Sequence, residues 1–237
     1  MRLRVITFNI HKGYDLLNRN YELKTIRAIL KNREADVILL QEIHGLHPTG
    51  YLNNQSPLEE LADTYWPHFR HGVNSVYPSN FHGNAIMSRY PIVEWSNTDI
   101  STNKLERRGL LYAKILYEEK IPIDLFCTHL NLFPTGQIKQ WQRILSLMGA
   151  LQTADHCIVA GDFNDWTSLS PKKLGANFLS VPPYKTYPSF LPLLSLDRLY
   201  FKEFDLVSSS TLKDYKKGSD HLPIFADLQL RQGKPMF

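Results

Sequence analysis

Only two cysteines, Cys127 and Cys157, occur in the 237 residues. That excludes a disulfide framework and a cysteine-based zinc site. Both lie in apolar, strand-like runs and read as ordinary buried thiols. No apolar run approaches the roughly 18 residues that a membrane-spanning helix needs. The opening stretch, MRLRVITFNI, carries charges but no apolar leader core and no small-residue cleavage site. It reads as the first strand of the fold, in a protein expected to stay in the cytoplasm. Internal repeats, low-complexity segments and Pro/Gly/Ser-rich linkers are missing, so one domain over 1–237 is expected. Charge of one sign is scarce too: 27 basic and 23 acidic side chains leave +4. That permits an anionic partner without demanding one.

What the chain does have is apolar and aromatic residue. Apolar side chains make up 43% and aromatic ones 12%, enough for a large core and against global disorder. Residues 3–9 are short, β-branched and apolar. DVILLQ (36–41) is near-continuous, as in a strand buried on both faces. Segments 83–88, 92–95, 156–160, 196–201 and 204–208 also read as strands. Runs 110–117 and 121–129 flank Glu118-Glu119-Lys120 and read as a hairpin. In 223–230, Ile224, Ala226, Leu228 and Leu230 share a face, with Asp227 and Gln229 opposite. That is the period of a half-buried antiparallel strand. Three helices are predicted. The first covers 21–32 with Asn20 as N-cap, and the second covers 57–65 with Ser56 as cap and Pro57 in the first turn. The third covers 137–151 with a stripe of Ile138, Trp141, Ile144, Leu145 and Met148. Intermixed strands and helices predict an α/β fold of two packed sheets with helices outside.

Several strands end in the same chemistry. VITFN ends at Asn9, VILLQE at Glu42 and LFCTH at His129. CIVAGDFN supplies Asp162 and Asn164, LSLD opens a strand at Asp197, and GSDH opens the last strand with Asp220 and His221. Each alone reads as a turn or a strand end. Together they place four carboxylates, two histidines and two asparagines at strand boundaries. Carboxylates gathered in one site repel each other unless a cation neutralises them. Asp, Glu and Asn without cysteine favour a hard ion such as Mg²⁺ or Mn²⁺. The histidines suit proton transfer and stabilisation of anionic charge.

The ordered segments TFNIHKG (7–13), LLQEIHG (39–45), GNAIMSRYPI (83–92), THL (128–130), GDFND (161–165), LDRLYF (196–201) and SDHLPI (219–224) carry a resemblance. They look like the endonuclease/exonuclease/phosphatase superfamily of DNase I-like metal-dependent phosphoesterases, over nearly the whole chain. TFNIHKG, ERRGLL (106–111) and TYPSFLPLLSLDRLYF (186–201) are similar to a compact bacterial branch. The resemblance implies a four-layer α/β sandwich, two mixed sheets face to face and flanked by helices. It implies hydrolysis of a phosphate ester, most simply a phosphodiester, by in-line attack of water with Mg²⁺ or, in its place, Mn²⁺. By similarity, Glu42 is the principal metal ligand, with Asn9 beside it and Asp220 in the metal shell. His221 is the general base, oriented by Asp197. Asp162 and Asn164 position water and phosphate, with Asp162 the rival base, and His129 donates to a non-bridging oxygen.

Further substrate contacts are expected from His11 and Lys12, and from Arg107 or Arg108 as a bidentate phosphate clamp. Asn84 and Arg89 read as structural. His44, His47, His68, His71, His82 and His156 show no metal-ligand spacing. Two positions depart from the family pattern. Asp197-Arg198 stands where exonuclease III-like repair enzymes carry Asp-Tyr, and Gln137 stands where the family commonly has Arg. The expected partner is an anionic phosphoester, either nucleic acid or a phospholipid or inositol-phosphate headgroup. The basic clusters, Arg107-Arg108, Lys172-Lys173 and Lys216-Lys217, are small for a nucleic-acid stripe. Tyr51, Trp66, Tyr77, Phe81, Phe133 and Trp166 fall near loops, where they would stack on bases, meet lipid or pack beneath the loops. A DNA or RNA endo- or exonuclease is the alternative within the class. A catalytically inactive phosphate-binding module is the alternative outside it, and all eight expected positions are filled.

Overall fold

A computed structural model describes residues 1–15, 17, 19–45, 56–77, 80–104, 106–151, 153–166, 173–213 and 218–231. Among the described residues there are twelve strands: β1 (Arg2–Asn9), β2 (Val37–His44), β3 (His68–Tyr77), β4 (Asn80–Ser88), β5 (Ile92–Asp99) and β6 (Gly109–Tyr117), followed by β7 (Ile121–His129), β8 (His156–Asp162), β9 (Leu179–Ser180), β10 (Asp197–Lys202), β11 (Phe204–Thr211) and β12 (Ile224–Leu230). They form two six-stranded sheets, ordered β11-β12-β1-β2-β4-β3 and β5-β6-β7-β8-β10-β9. Both are mixed. β1 runs parallel to β2 and β7 parallel to β8, and the other pairings are antiparallel.

Helices α1 (Leu23–Asn32), α2 (Pro57–Ala62) and α3 (Pro134–Ala150) cover the outside. One apolar cluster lies between the sheets, with Val5, Leu39 and Ile224 meeting Leu125, Ile158 and Leu199. A second sits under α1 and α2, around Phe8, Ile26, Leu40 and Trp66. A third sits under α3, around Phe126, Trp141 and Val159. These are the four layers expected. Strands β1, β2 and β8 are buried on both faces, which explains their unbroken apolar runs. Both cysteines are buried, and burial pushes the Cys127 thiol up to about 12. Among the described residues no helix is long and apolar enough to cross a membrane.

Several local expectations are corrected. α1 starts at Leu23 with Glu22 in the cap position and no side-chain cap. Asn20 donates to Asp15 instead, at 2.7 Å. Ser56 does cap α2, in a reciprocal capping box with Glu59. That helix ends at Ala62, and Tyr65 packs edge-on against Trp66 at 4.9 Å. α3 begins at Pro134, and its buried face is Gln137, Gln140, Trp141, Ile144 and Met148. Ile138 and Leu145 are exposed. Two glutamines replace them because they satisfy loop backbone that apolar side chains would leave unpaired. β3 was not expected, since HFRHGVNSVY shows no clean alternation. The last strand starts at Ile224, so Asp220 and His221 belong to the loop before it.

Candidate active site

The two central parallel pairs end on the same side of the molecule. Asn9 closes β1, Glu42 lies near the end of β2, His129 closes β7 and Asp162 closes β8. The amide of Asn9 reaches across the sheets and donates to Asp162 Oδ2 at 3.0 Å. Ends of parallel strands are where α/β proteins place ligands, because loops there leave room above fixed backbone. Here they surround a cavity of about 360 Å³ lined by Asn9, Glu42, Arg108, His129, Asp162, Asn164 and His221, with Leu132, Trp166, Tyr187, Leu194 and Leu196. A smaller cavity of about 190 Å³ shares Glu42 and Arg108 and adds Lys12, Ser75, His82, Glu106 and Arg107.

Glu42 reaches this space through a bulge. The β2–β4 register jumps from Leu40↔Ala85 to Ile43↔Gly83, so two residues of β2 face one of β4. Leu40 and Ile43 consequently pack in the same helix-side cluster, which strict alternation forbids. Glu42, at φ 55°, turns to the sheet-facing side with Gln41. Gly161 is the other backbone device, at φ 150°. A Cβ there would sit 1.9 Å from the Thr128 carbonyl, so only glycine lets β8 run beside β7 at this point. Asn164 follows in the left-handed region at φ 47°, which asparagine tolerates, and its N–H donates to Asp162 Oδ1 at 3.0 Å.

His221 Nδ1 lies 2.8 Å from Asp197 Oδ2, and Nε2 lies 3.7 Å from Asp162 Oδ2. Burial by itself would push the imidazolium down. The adjoining carboxylates Asp197 and Asp162 overcome it, and His221 is pushed up to about 10. Thr186 Oγ1 also donates to Asp197 Oδ2, at 2.5 Å. Ser219 holds the loop by donating to the Asn9 carbonyl at 2.7 Å and accepting the His221 N–H at 3.2 Å. The Tyr187 ring sits 5.0 Å from the His221 ring.

His129 occupies the opposite wall. Its Nε2 is 3.4 Å from Asp162 Oδ2 and 3.2 Å from Asn164 Nδ2. Its Nδ1 is 3.5 Å from Arg108 Nη1 and 3.7 Å from Glu42 Oε1. Burial, with the Arg108 guanidinium beside it, pushes His129 down to about 3, so the ring is neutral at pH 7. Gln137 anchors this wall from α3, donating to the carbonyls of Asn131 at 2.8 Å and Asn164 at 2.9 Å. A glutamine in the place of an arginine thus has a structural duty. Arg198 is likewise turned away from the cavity, donating to the carbonyls of Asp197, Asp165 and Ser195.

Among the described residues, two groups have the chemistry of a metal site. Asp162, Asp197 and His221 bring ligand atoms within 4.8 Å of one another; Asp162 accepts from Asn9 and Asn164 and Asp197 Oδ2 meets Thr186 and His221, while Asp197 Oδ1 is buried with no partner among the described residues. Glu42 is different. Its carboxylate is part-buried, and no described residue donates a hydrogen bond to it. Its nearest basic nitrogen among the described ion pairs is His129 Nδ1 at 3.7 Å. Asn9 Oδ1 accepts from the His11 N–H at 3.1 Å and keeps a second lone pair. A carboxylate so placed, with an amide oxygen and no thiolate, suits a hard divalent cation.

The model of the endonuclease/exonuclease/phosphatase family matches residues 6–221. The chain belongs to this family. Members hydrolyse phosphoester bonds. The uncharacterized protein YbhP of Escherichia coli (strain K12) is 36% identical over 243 residues, 96% of each chain. Among solved structures, the family protein from Beutenbergia cavernae superposes with a TM-score of 0.78 at 22% identity, over 99% of this chain and 73% of that one. D. rerio TDP2 complexed with single-strand DNA product gives 0.70 at 19%, over 96% and 99%. These two likenesses establish the DNase I-like sandwich.

Of the expected site residues, Asn9, Glu42, Arg108, His129, Asp162, Asn164 and His221 line the main cavity. Asp197 stands behind His221. Asp220 is not among the lining residues; its Oδ1 lies 3.7 Å from His11 Nδ1. Lys12 and Arg107 line the smaller cavity, and Arg107 lies 3.6 Å from Asp99. Asn84 and Arg89 are structural, bonding to the Gly109 carbonyl and to Asp36. Trp66 is core, and its Nε1 donates to the Ala35 carbonyl. His47, Tyr51, Lys172, Lys216, Lys217 and the Tyr77 side chain lie outside the described residues. Thr186, Ser219, Tyr187, Leu132 and Leu194 were not singled out from sequence. Ser219 adjoins Asp220 and His221, Thr186, Tyr187 and Leu194 fall within 186–201, and Leu132 follows THL, but nothing local in these segments marks them as site residues.

Proposed function

We propose that the chain is a divalent-metal-dependent phosphodiesterase acting by in-line water attack. The observation that supports this reading best is the meeting of Asn9, Glu42, His129, Asp162 and His221 around one cavity. Glu42 and Asn9 would hold the ion, with Asp220 at the edge of its shell. Bound there, Mg²⁺ would polarise a phosphoryl oxygen, offset charge on the leaving oxygen and, by its positive charge, favour the neutral form of His221. His221 Nε2 then accepts the proton of the attacking water, while Asp197 holds Nδ1–H and the ring orientation. Asp162 fixes the water through Oδ2 and is the rival acceptor. Neutral His129 and the Arg108 guanidinium stabilise charge on the non-bridging oxygens, with His11, Lys12 and Arg107 reaching further along the substrate.

The test is a hydrolysis panel with Mg²⁺ or Mn²⁺, over DNA, RNA, phospholipids, inositol phosphates and an artificial diester. The expected result is hydrolysis abolished by EDTA and by Glu42→Ala. Metal-independent turnover, or turnover unchanged in Glu42→Ala, would refute the assignment. A nuclease is the second reading, favoured by the likeness to TDP2, which was solved with DNA. An inactive module predicts no turnover on any member of the panel.

A further inference from the structure

The cavity has two unlike walls. Arg108 and Glu42 form one, with Lys12 and Arg107 close behind in the adjoining cavity. Leu132, Trp166, Tyr187, Leu194 and Leu196 form the other. On that second wall or next to it in the chain, Leu132, Phe133, Trp166, Phe190, Leu191 and Leu193 are all between 45% and 67% exposed. Single exposed leucines are ordinary on a protein surface; exposed apolar side chains gathered on three segments that each line the same cavity wall mark a contact surface.

The backbone beneath these side chains is ordered. Tyr187 and Leu194 pair across an antiparallel bridge, closing the turn that carries Phe190, Leu191 and Leu193. Within it, Leu191 N–H donates to the Pro188 carbonyl at 3.1 Å and Leu193 N–H to the Tyr187 carbonyl at 2.9 Å. Trp166 Nε1 donates to the Leu132 carbonyl at 3.1 Å, joining the other two segments. The apolar side chains are thus presented outward on fixed backbone beside a phosphoester site.

Resting on the phosphodiesterase reading above, we propose that this rim docks on a phospholipid surface, so that the substrate is a phospholipid headgroup phosphodiester. The occupant is chosen by two features. Half of the six rim residues are leucines, which have no π-face for a nucleic-acid base but partition into acyl chains. Across the opening, Lys12, Arg107 and Arg108 match the charge of an anionic headgroup, and Arg108 Nε has no partner among the described residues. One wall thus suits the lipid tails and the other the phosphate.

The test separates docking from catalysis. Co-sedimentation is measured in EDTA with vesicles of phosphatidylcholine and about one third phosphatidylglycerol. Wild-type protein is expected to bind, and Phe190→Ser/Leu191→Ser to bind at least about tenfold more weakly. Both proteins are expected to hydrolyse a soluble artificial diester with Mg²⁺ within about twofold of each other, since exposed substitutions disturb folding little. No vesicle binding by wild type, or equal binding by the variant, overturns the proposal. So does a single-stranded oligonucleotide bound more tightly than vesicles and lost in the variant, or a wild-type dimer that the variant lacks. Failure of soluble-diester hydrolysis in the wild type, with vesicle binding intact, would instead sink the phosphodiesterase reading.

Discussion

His129 and His221 approach the same oxygen, Asp162 Oδ2, from 3.4 and 3.7 Å, and both side chains are almost fully buried. Yet one is pushed down to about 3 and the other up to about 10. Burial acts alike on both. The difference lies at the second ring nitrogen, where His221 meets the Asp197 carboxylate at 2.8 Å and His129 meets the Arg108 guanidinium at 3.5 Å. Neighbours whose affinities for a proton are driven apart mark a division of labour. In the mechanism proposed above, the His221 wall would handle protons and the His129 wall would offer a neutral donor to anionic oxygen.

The largest expected effect comes from removing the carboxylate that makes the walls differ. Asp197→Asn should lower kcat by about 10³-fold, because the ring loses both its orientation and its charge partner. NMR titration of His221 in this variant should show a pKa well below that of the wild type in EDTA. An unchanged titration would show that Asp162 alone sets it. His129→Gln should cost about 10²-fold in kcat, the scale of one lost donor to a developing oxyanion, with the His221 titration unmoved.

Stability should divide along the same line. His221 is held as a cation above its ordinary value of 6.5, so its contribution is complete below pH 6.5 and lost as pH rises toward 10. His129 is held neutral, so its contribution is complete above 6.5 and lost as pH falls toward 3. Thermal unfolding in EDTA should therefore peak near pH 6.5. His221→Asn should flatten the alkaline limb. His129→Gln should flatten only part of the acid limb, because burial also pushes His44 and His71 down to about 4. The smallest effect is expected from Gln137→Ala. It strands the carbonyls of Asn131 and Asn164, costing about 1–3 kcal/mol by chemical denaturation. Only a few-fold loss of kcat should follow, confined to the His129 wall and leaving the His221 titration in place.

Much of this was legible in the chain. Strand-end polar residues announced Asn9, His129 and Asp162, because each closes a mostly apolar, buried strand where the chain leaves the core. Glu42 was legible as a residue but not as a geometry, since alternation alone points it at the helices and a bulge redirects it. The burial of Gln137 and Gln140 escapes the sequence for a related reason. Amphipathic periodicity counts them as polar, while their burial serves carbonyls of a loop distant in sequence. Thr186 and Tyr187 carried no local signal, because their partner, the His221–Asp197 pair, is assembled from two other segments.

The sequence by itself determined the four layers and the inventory of acids, amides and imidazoles, since periodicity and residue chemistry are local properties. Only the tertiary structure decided which histidine keeps its proton, which wall is greasy and which carboxylate is left without a donor. Those depend on distances between residues far apart in the chain, and proton affinity falls off with distance and burial rather than with position in sequence.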